Sequence, residues 1–151
     1  MKLPSELVEA VKHFEGFHRV VQRRPVILAA PYLCPAGYWT IGYGVLCQRD
    51  RAPVTIDEGT DELMQLLPVY AAHAVRLSPV LTQEPDSRLT AIADFIFNLG
   101  PTRYASSTLR RRINEREWER AAEEIQRWVF GGGRKLPGLV ARRRFEAELL
   151  L

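Results

Sequence analysis

The segment from Pro85 to Gly100 most constrains the fold. Leu89, Ile92, Phe95, Ile96 and Leu99 recur at helical spacing, between a proline that suits a helix start and a glycine that suits its stop. So dense an apolar stripe needs elements packed around it, which makes this segment the expected central helix of a helical lobe. Its partners are visible on both sides. Thr55-Ile56-Asp57-Glu58 has the spacing of a capping box and leads into Leu63, Leu66 and Leu67, with Pro68 expected to end or kink that helix. Ser106 or Ser107 caps a short helix. Trp118, Ala121, Ala122, Ile125 and Trp128 mark another, stopped by Gly131-Gly132-Gly133. Pro137-Gly138 opens the last, with Leu139, Phe145, Leu149 and Leu150. Near the start, Pro4-Ser5 opens a helix with Ser5 as its expected N-cap and Leu7, Val8, Val11 and Phe14 on one face. Gly16 stops it and leaves Glu15 in the last turn.

Only one stretch reads as β. Trp39-Thr40-Ile41-Gly42-Tyr43 is an expected strand, and Pro35-Ala36-Gly37 is the turn before it. Residues 17–32, with Pro25 and Pro31, read as extended and loop-like. The fold class is therefore α+β: an N-terminal helix and small β region over about 1–50 that carries a cleft, then a helical lobe over about 55–151. No linker, repeat or low-complexity segment interrupts it, so residues 1–151 read as a single domain.

A hydrophobic fraction of 46% supports a packed core over disorder. The longest apolar run, Val26 to Leu33, is broken by Pro31 and far too short to span a bilayer, so no stable membrane insertion is expected. The opening residues show no charged-then-apolar secretory pattern. The net charge of +3 is carried almost wholly by arginine and suits an anionic polymer. Arg110-Arg111-Arg112 and Arg142-Arg143-Arg144 come with no nucleic-acid recognition signature, so nucleic acid is not an expected partner. His13, His18, His73, Cys34 and Cys47 lack any metal-site spacing, and neither metal nor cofactor is expected. Cys34 and Cys47 are expected to be thiols, although a bond between them stays open.

The chemistry concentrates in Glu15 and in the run Cys34-Pro35-Ala36-Gly37-Tyr38-Trp39-Thr40-Ile41-Gly42-Tyr43-Gly44. Together they set a carboxyl at a helix end against a short strand with a thiol and a hydroxyl. That is raw material for protonating a leaving group on one side and holding a water on the other. The bland reading of each residue is a solvated glutamate, a small buried cysteine and a β-branched strand residue. Gly42 and Gly44 let backbone approach a sugar closely, and Tyr38, Trp39 and Tyr43 offer stacking surface or simple packing.

The same residues resemble the phage-type lysozymes, glycoside hydrolase family 24. Glu15, Cys34, Thr40 and Gly42-Tyr43-Gly44 match that family's catalytic core. The likeness continues in order through Phe97-Asn98-Leu99-Gly100, Ser107-Thr108-Leu109, Trp128 and Pro137 to Arg143. The resemblance implies a lysozyme-like fold and an endolysin that hydrolyses the β-1,4 bond between N-acetylmuramic acid and N-acetylglucosamine of peptidoglycan with inversion. It implies Glu15 as the acid, Thr40 and Cys34 as water-positioning groups, and Tyr43, Gly42, Asn98 and Arg142 or Arg143 as substrate contacts. It also implies a monomer made in the host cytoplasm that reaches the periplasmic wall after a holin opens the membrane. The interval between Glu15 and Cys34 is longer than the family pattern by about ten residues, which suggests a cleft-side arm or lid, and Val45 stands where many members carry His. Rival readings are a lytic transglycosylase, which needs no water-holding pair, and a glycan-binding protein of the same fold without catalysis.

Overall fold

A computed structural model describes all residues, Met1 to Leu151. The chain forms two compact units, one of Val8–Leu66 and one of Met1–Leu7 with Leu67–Leu151. Both boundaries fall inside helices. They are α1 (Ser5–Glu15) and α2 (Ile56–Leu77).

In the Val8–Leu66 unit, β1 (Val20–Gln22), β2 (Leu28–Ala29) and β6 (Val54–Thr55) form one antiparallel sheet in that order. A second is made by β3 (Tyr32–Leu33), β4 (Trp39–Ile41) and β5 (Val45–Leu46). Residues 17–33 are therefore a hairpin and a strand rather than a loop. Val20 pairs with Ala29 and Gln22 with Leu28, while Leu28 and Ala29 pair onward with Thr55 and Val54. That second partner is distant in sequence, which hid the strand from local pattern. The expected strand over residues 39–43 stops at Ile41. Gly42-Tyr43-Gly44 is the turn of the β4–β5 hairpin, with φ of +59° at Gly42 and +83° at Gly44, values that glycine adopts without strain. Gly16, at φ +71°, ends α1 through its N–H to the Lys12 carbonyl, 3.0 Å. Ser5 already lies within α1, so it is not the cap. The capping box holds: the Thr55 N–H donates to Glu58 Oε2 at 2.8 Å, and the Glu58 N–H donates to Thr55 Oγ1 at 3.1 Å.

Pro68 does not end α2, which runs on to Leu77. Proline removes one donor, but Leu63, Leu67, Ala71 and Ala74 are fully buried and anchor the helix on both sides of it. In the larger unit, α3 (Asp86–Leu99) is buried on every face from Leu89 to Ile96, as a central helix must be. It packs against α7 (Pro137–Leu150), α4 (Pro101–Ala105) and the 3-10 turn Pro79–Gln83. Ser107 caps α5 (Thr108–Asn114) by accepting the Arg110 N–H at 3.0 Å. The next helix, α6 (Trp118–Ile125), ends before Trp128, which sets its ring edge-on against Phe95 at 5.5 Å. The glycine triplet belongs to a further hairpin, β7 (Phe130–Gly131) with β8 (Arg134–Lys135), so the N-terminal β region is not the only one. No helix is long and apolar enough to cross a membrane.

Candidate active site

Glu15 is the last residue of α1 and is half-buried. Its carboxyl lies against the backbone of Gly44. A Cβ built on Gly44 would stand 3.0 Å from Glu15 Oε2 and 3.3 Å from Cδ. The glycine is thus needed for room as well as for its φ.

Cys34 begins the β3–β4 connection. Its N–H donates to the Tyr38 carbonyl at 2.9 Å and its carbonyl accepts from Gly37 at 2.8 Å, with Gly37 at φ +86°. This tight turn directs backbone N–H groups at the sulfur. The Tyr38 N–H first, then those of Ala36 and Gly37, hold the thiol below its ordinary pKa against an opposing effect of burial. The thiolate, the useful form for orienting water, is thereby stabilised relative to that of an ordinary cysteine. Thr40 is 3% exposed and donates its hydroxyl to the Tyr38 carbonyl at 3.0 Å, leaving its lone pairs to accept.

Strand register places Tyr32 opposite Thr40, and side-chain alternation sets Tyr32, Cys34, Tyr38 and Thr40 on one face. Tyr32 escaped the sequence reading, although its position two residues before Cys34 on a strand was the available signal. Burial first, then the charges of Glu15, Cys34 and Cys47, push its phenol up to about 12. The acid, the thiol and Thr40's partner therefore gather within one compact unit. Cys47 lies across β4 from Leu33, the residue before Cys34, with its N–H bonded to the Trp39 carbonyl at 3.0 Å. Two strand spacings put the Cα atoms of the two cysteines about 9–10 Å apart, beyond the ~7 Å reach of a disulfide, and both are free thiols. Burial raises the Cys47 thiol, with Arg51 opposing.

Two expected substrate contacts, Tyr43 and Gly42, are buried. Tyr43 is 6% exposed, with its ring 5.2 Å from Phe17 and Lys12 Nζ 5.4 Å above it. Gly42 is buried facing Gly59, Phe17 and Val54. Tyr38, 62% exposed, is the open aromatic on the Cys34–Thr40 face.

Asn98 and Arg142 belong to the other unit, where they join a buried polar seam between α3 and α7. Arg142 is 4% exposed and donates from Nε and Nη2 to the two carboxyl oxygens of Asp94, at 2.9 and 2.7 Å. Arg143, fully buried, donates from Nη2 to Asn98 Oδ1 at 3.0 Å and to Glu146 Oε1 at 2.7 Å. Neither arginine lies on a solvated helix face, and Asn98 is a seam partner rather than a C-cap, a role taken by Gly100. The Arg143 guanidinium also covers the Phe95 ring at 4.9 Å. Burial raises the Glu146 carboxyl well above its ordinary range, helped by Asp94 and opposed by both arginines.

This is the fold and polar equipment of a lysozyme-like glycoside hydrolase. The profile described as Phage lysozyme matches residues 12–146, and the chain belongs to that family. An endolysin of Acyrthosiphon pisum secondary endosymbiont phage 1 is 29% identical over 136 residues, covering 86% of this chain and 91% of that protein. The muramidase domain of SpmX from Asticaccaulis excentricus superposes with a TM-score of 0.81 at 27% identity, over 99% of this chain and 97% of that one. The endolysin of Escherichia coli O157:H7 phage FAHEc1 does so at 0.76 and 25% identity, over 100% and 94%.

Proposed function

We propose that this lysozyme acts as an endolysin, hydrolysing the β-1,4 bond between N-acetylmuramic acid and N-acetylglucosamine of peptidoglycan through Glu15, Cys34 and Thr40. Glu15 donates a proton to the glycosidic oxygen as the bond to the anomeric carbon breaks. Thr40 accepts a hydrogen bond from a water, and the Cys34 thiolate orients that water toward the anomeric carbon and takes the proton it loses on attack. Attack from the side opposite the leaving group inverts the configuration. Tyr38 offers a stacking face to the sugar. Gly42 and Tyr43 shape the turn that seats Glu15, and Arg142 and Asn98 act within the α3–α7 seam. The observation that carries this reading is the placement of Tyr32. It shares a face with Cys34 and Thr40 and lies close enough to Glu15 to feel its charge.

The enzyme is further assigned as a monomer, made in the host cytoplasm and admitted to the periplasmic wall by a holin. The test is Glu15→Gln, which keeps shape and removes the transferable proton. Folded variant protein should fail to clear chloroform-treated Gram-negative cells, and wild-type digests should show reducing ends. Clearing at wild-type rate by the variant, or anhydro-sugar ends in the digest, would overturn the mechanism.

A further inference from the structure

The chain carries no acidic residue between Glu15 and Asp50, while Arg19, Arg23, Arg24 and Arg49 all stand exposed there. This basic run includes the β1–β2 hairpin. Every residue of the hairpin tip, Arg23-Arg24-Pro25-Val26, is exposed, and Val21 and Val26 present 55% and 50% of their surface to water. The tip is not a slack loop. Gln22 Nε2 donates to the Val26 carbonyl at 3.1 Å, the Ala30 N–H closes the base on the Arg19 carbonyl at 3.0 Å, and β2 is held by β6. A braced hairpin thus displays cationic heads and aliphatic side chains together, in a stretch of chain that carries no acid of its own.

Single exposed apolar side chains are ordinary on a protein surface, and what sets these two apart is their place beside exposed arginines on one braced hairpin. Stem-peptide carboxylates would account for the arginines and leave the valines unexplained. A lipid headgroup layer accounts for both, because arginine heads meet phosphates while apolar side chains enter the acyl boundary. We propose that the β1–β2 hairpin is a contact surface for anionic phospholipid bilayers, lying on the membrane without spanning it.

The test uses the whole protein with two probes. One is vesicles of phosphatidylglycerol and phosphatidylcholine in equal parts, and the other is isolated peptidoglycan sacculi. Wild-type protein should cosediment with the anionic vesicles, not with pure phosphatidylcholine, and less as salt rises. Arg23→Gln with Arg24→Gln should lower the vesicle partition coefficient by at least about tenfold. Val21→Thr with Val26→Ser should lower it about threefold. Melting curves should be unchanged, and so should sacculus binding. No vesicle binding by wild type would overturn the proposal. So would valine variants that bind like wild type, or a loss that falls on sacculi, which would make the hairpin a stem-peptide contact.

Discussion

Replacing Gly44 by alanine separates backbone strain from displacement of the Glu15 carboxyl, the proposed acid. Gly44 sits at φ +83°, and the new methyl would stand 3.0 Å from Glu15 Oε2 and 3.3 Å from Cδ. Holding a non-glycine residue in that region costs about 1–2 kcal/mol of folding free energy. In a chain of this length that lowers the melting temperature by about 2–4 °C per kcal/mol. The second effect is local. Ordinary van der Waals contact requires the carboxyl to retreat by about 0.4 Å. Since a misplacement of ~1 Å can cost ~100-fold in rate, turnover should fall about tenfold, or ~1.4 kcal/mol of barrier. Gly133→Ala is the control, because Gly133 has φ +75° and nothing within 4 Å of the added Cβ. Both variants should melt lower by similar amounts. Only Gly44→Ala should lose turnover on sacculi at saturating substrate. Wild-type turnover in Gly44→Ala, or equal losses in the two variants, would refute the idea that Gly44 sets the working position of Glu15.

Cys34→Asp should retain or raise activity, because the turn's N–H groups can hold a carboxylate as they hold a thiolate, whereas Cys34→Ala should lose about 100-fold; the reverse order in clearing rates and melting curves would make Cys34 a packing residue. Asp94→Ala removes the two-bond partner of a buried guanidinium and should destabilise by about 3–5 kcal/mol, so a denaturant midpoint near wild type would contradict the seam's energetics. Glu146 has a folded-state pKa raised by burial, so the stability it allows is fully present below about pH 4.3, its unfolded value, and is lost as pH rises through the folded value. Glu146→Gln cannot ionise. Its melting temperature relative to wild type should therefore be lowest near pH 4 and increase toward pH 7, and a difference independent of pH would count against this account.

Local chemistry in the sequence was enough to define α3, the end of α1 at Gly16, the Thr55–Glu58 capping box and the Ser107 cap. Each depends on residues within a few positions of one another, so periodicity and capping residues suffice. The order of Glu15, Cys34, Thr40 and the Gly42–Gly44 run likewise carried the family and the candidate machinery. The β1–β2 hairpin was not legible, because its stability comes from pairing with Val54 and Thr55 far along the chain. Pro68 misled because buried anchors outweigh one missing donor. Whether Tyr43 meets solvent or Phe17, and whether Arg142 meets water or Asp94, is decided by tertiary packing alone. Burial and ion pairing depend on which distant elements come into contact, and nothing in a residue's own neighbourhood records that.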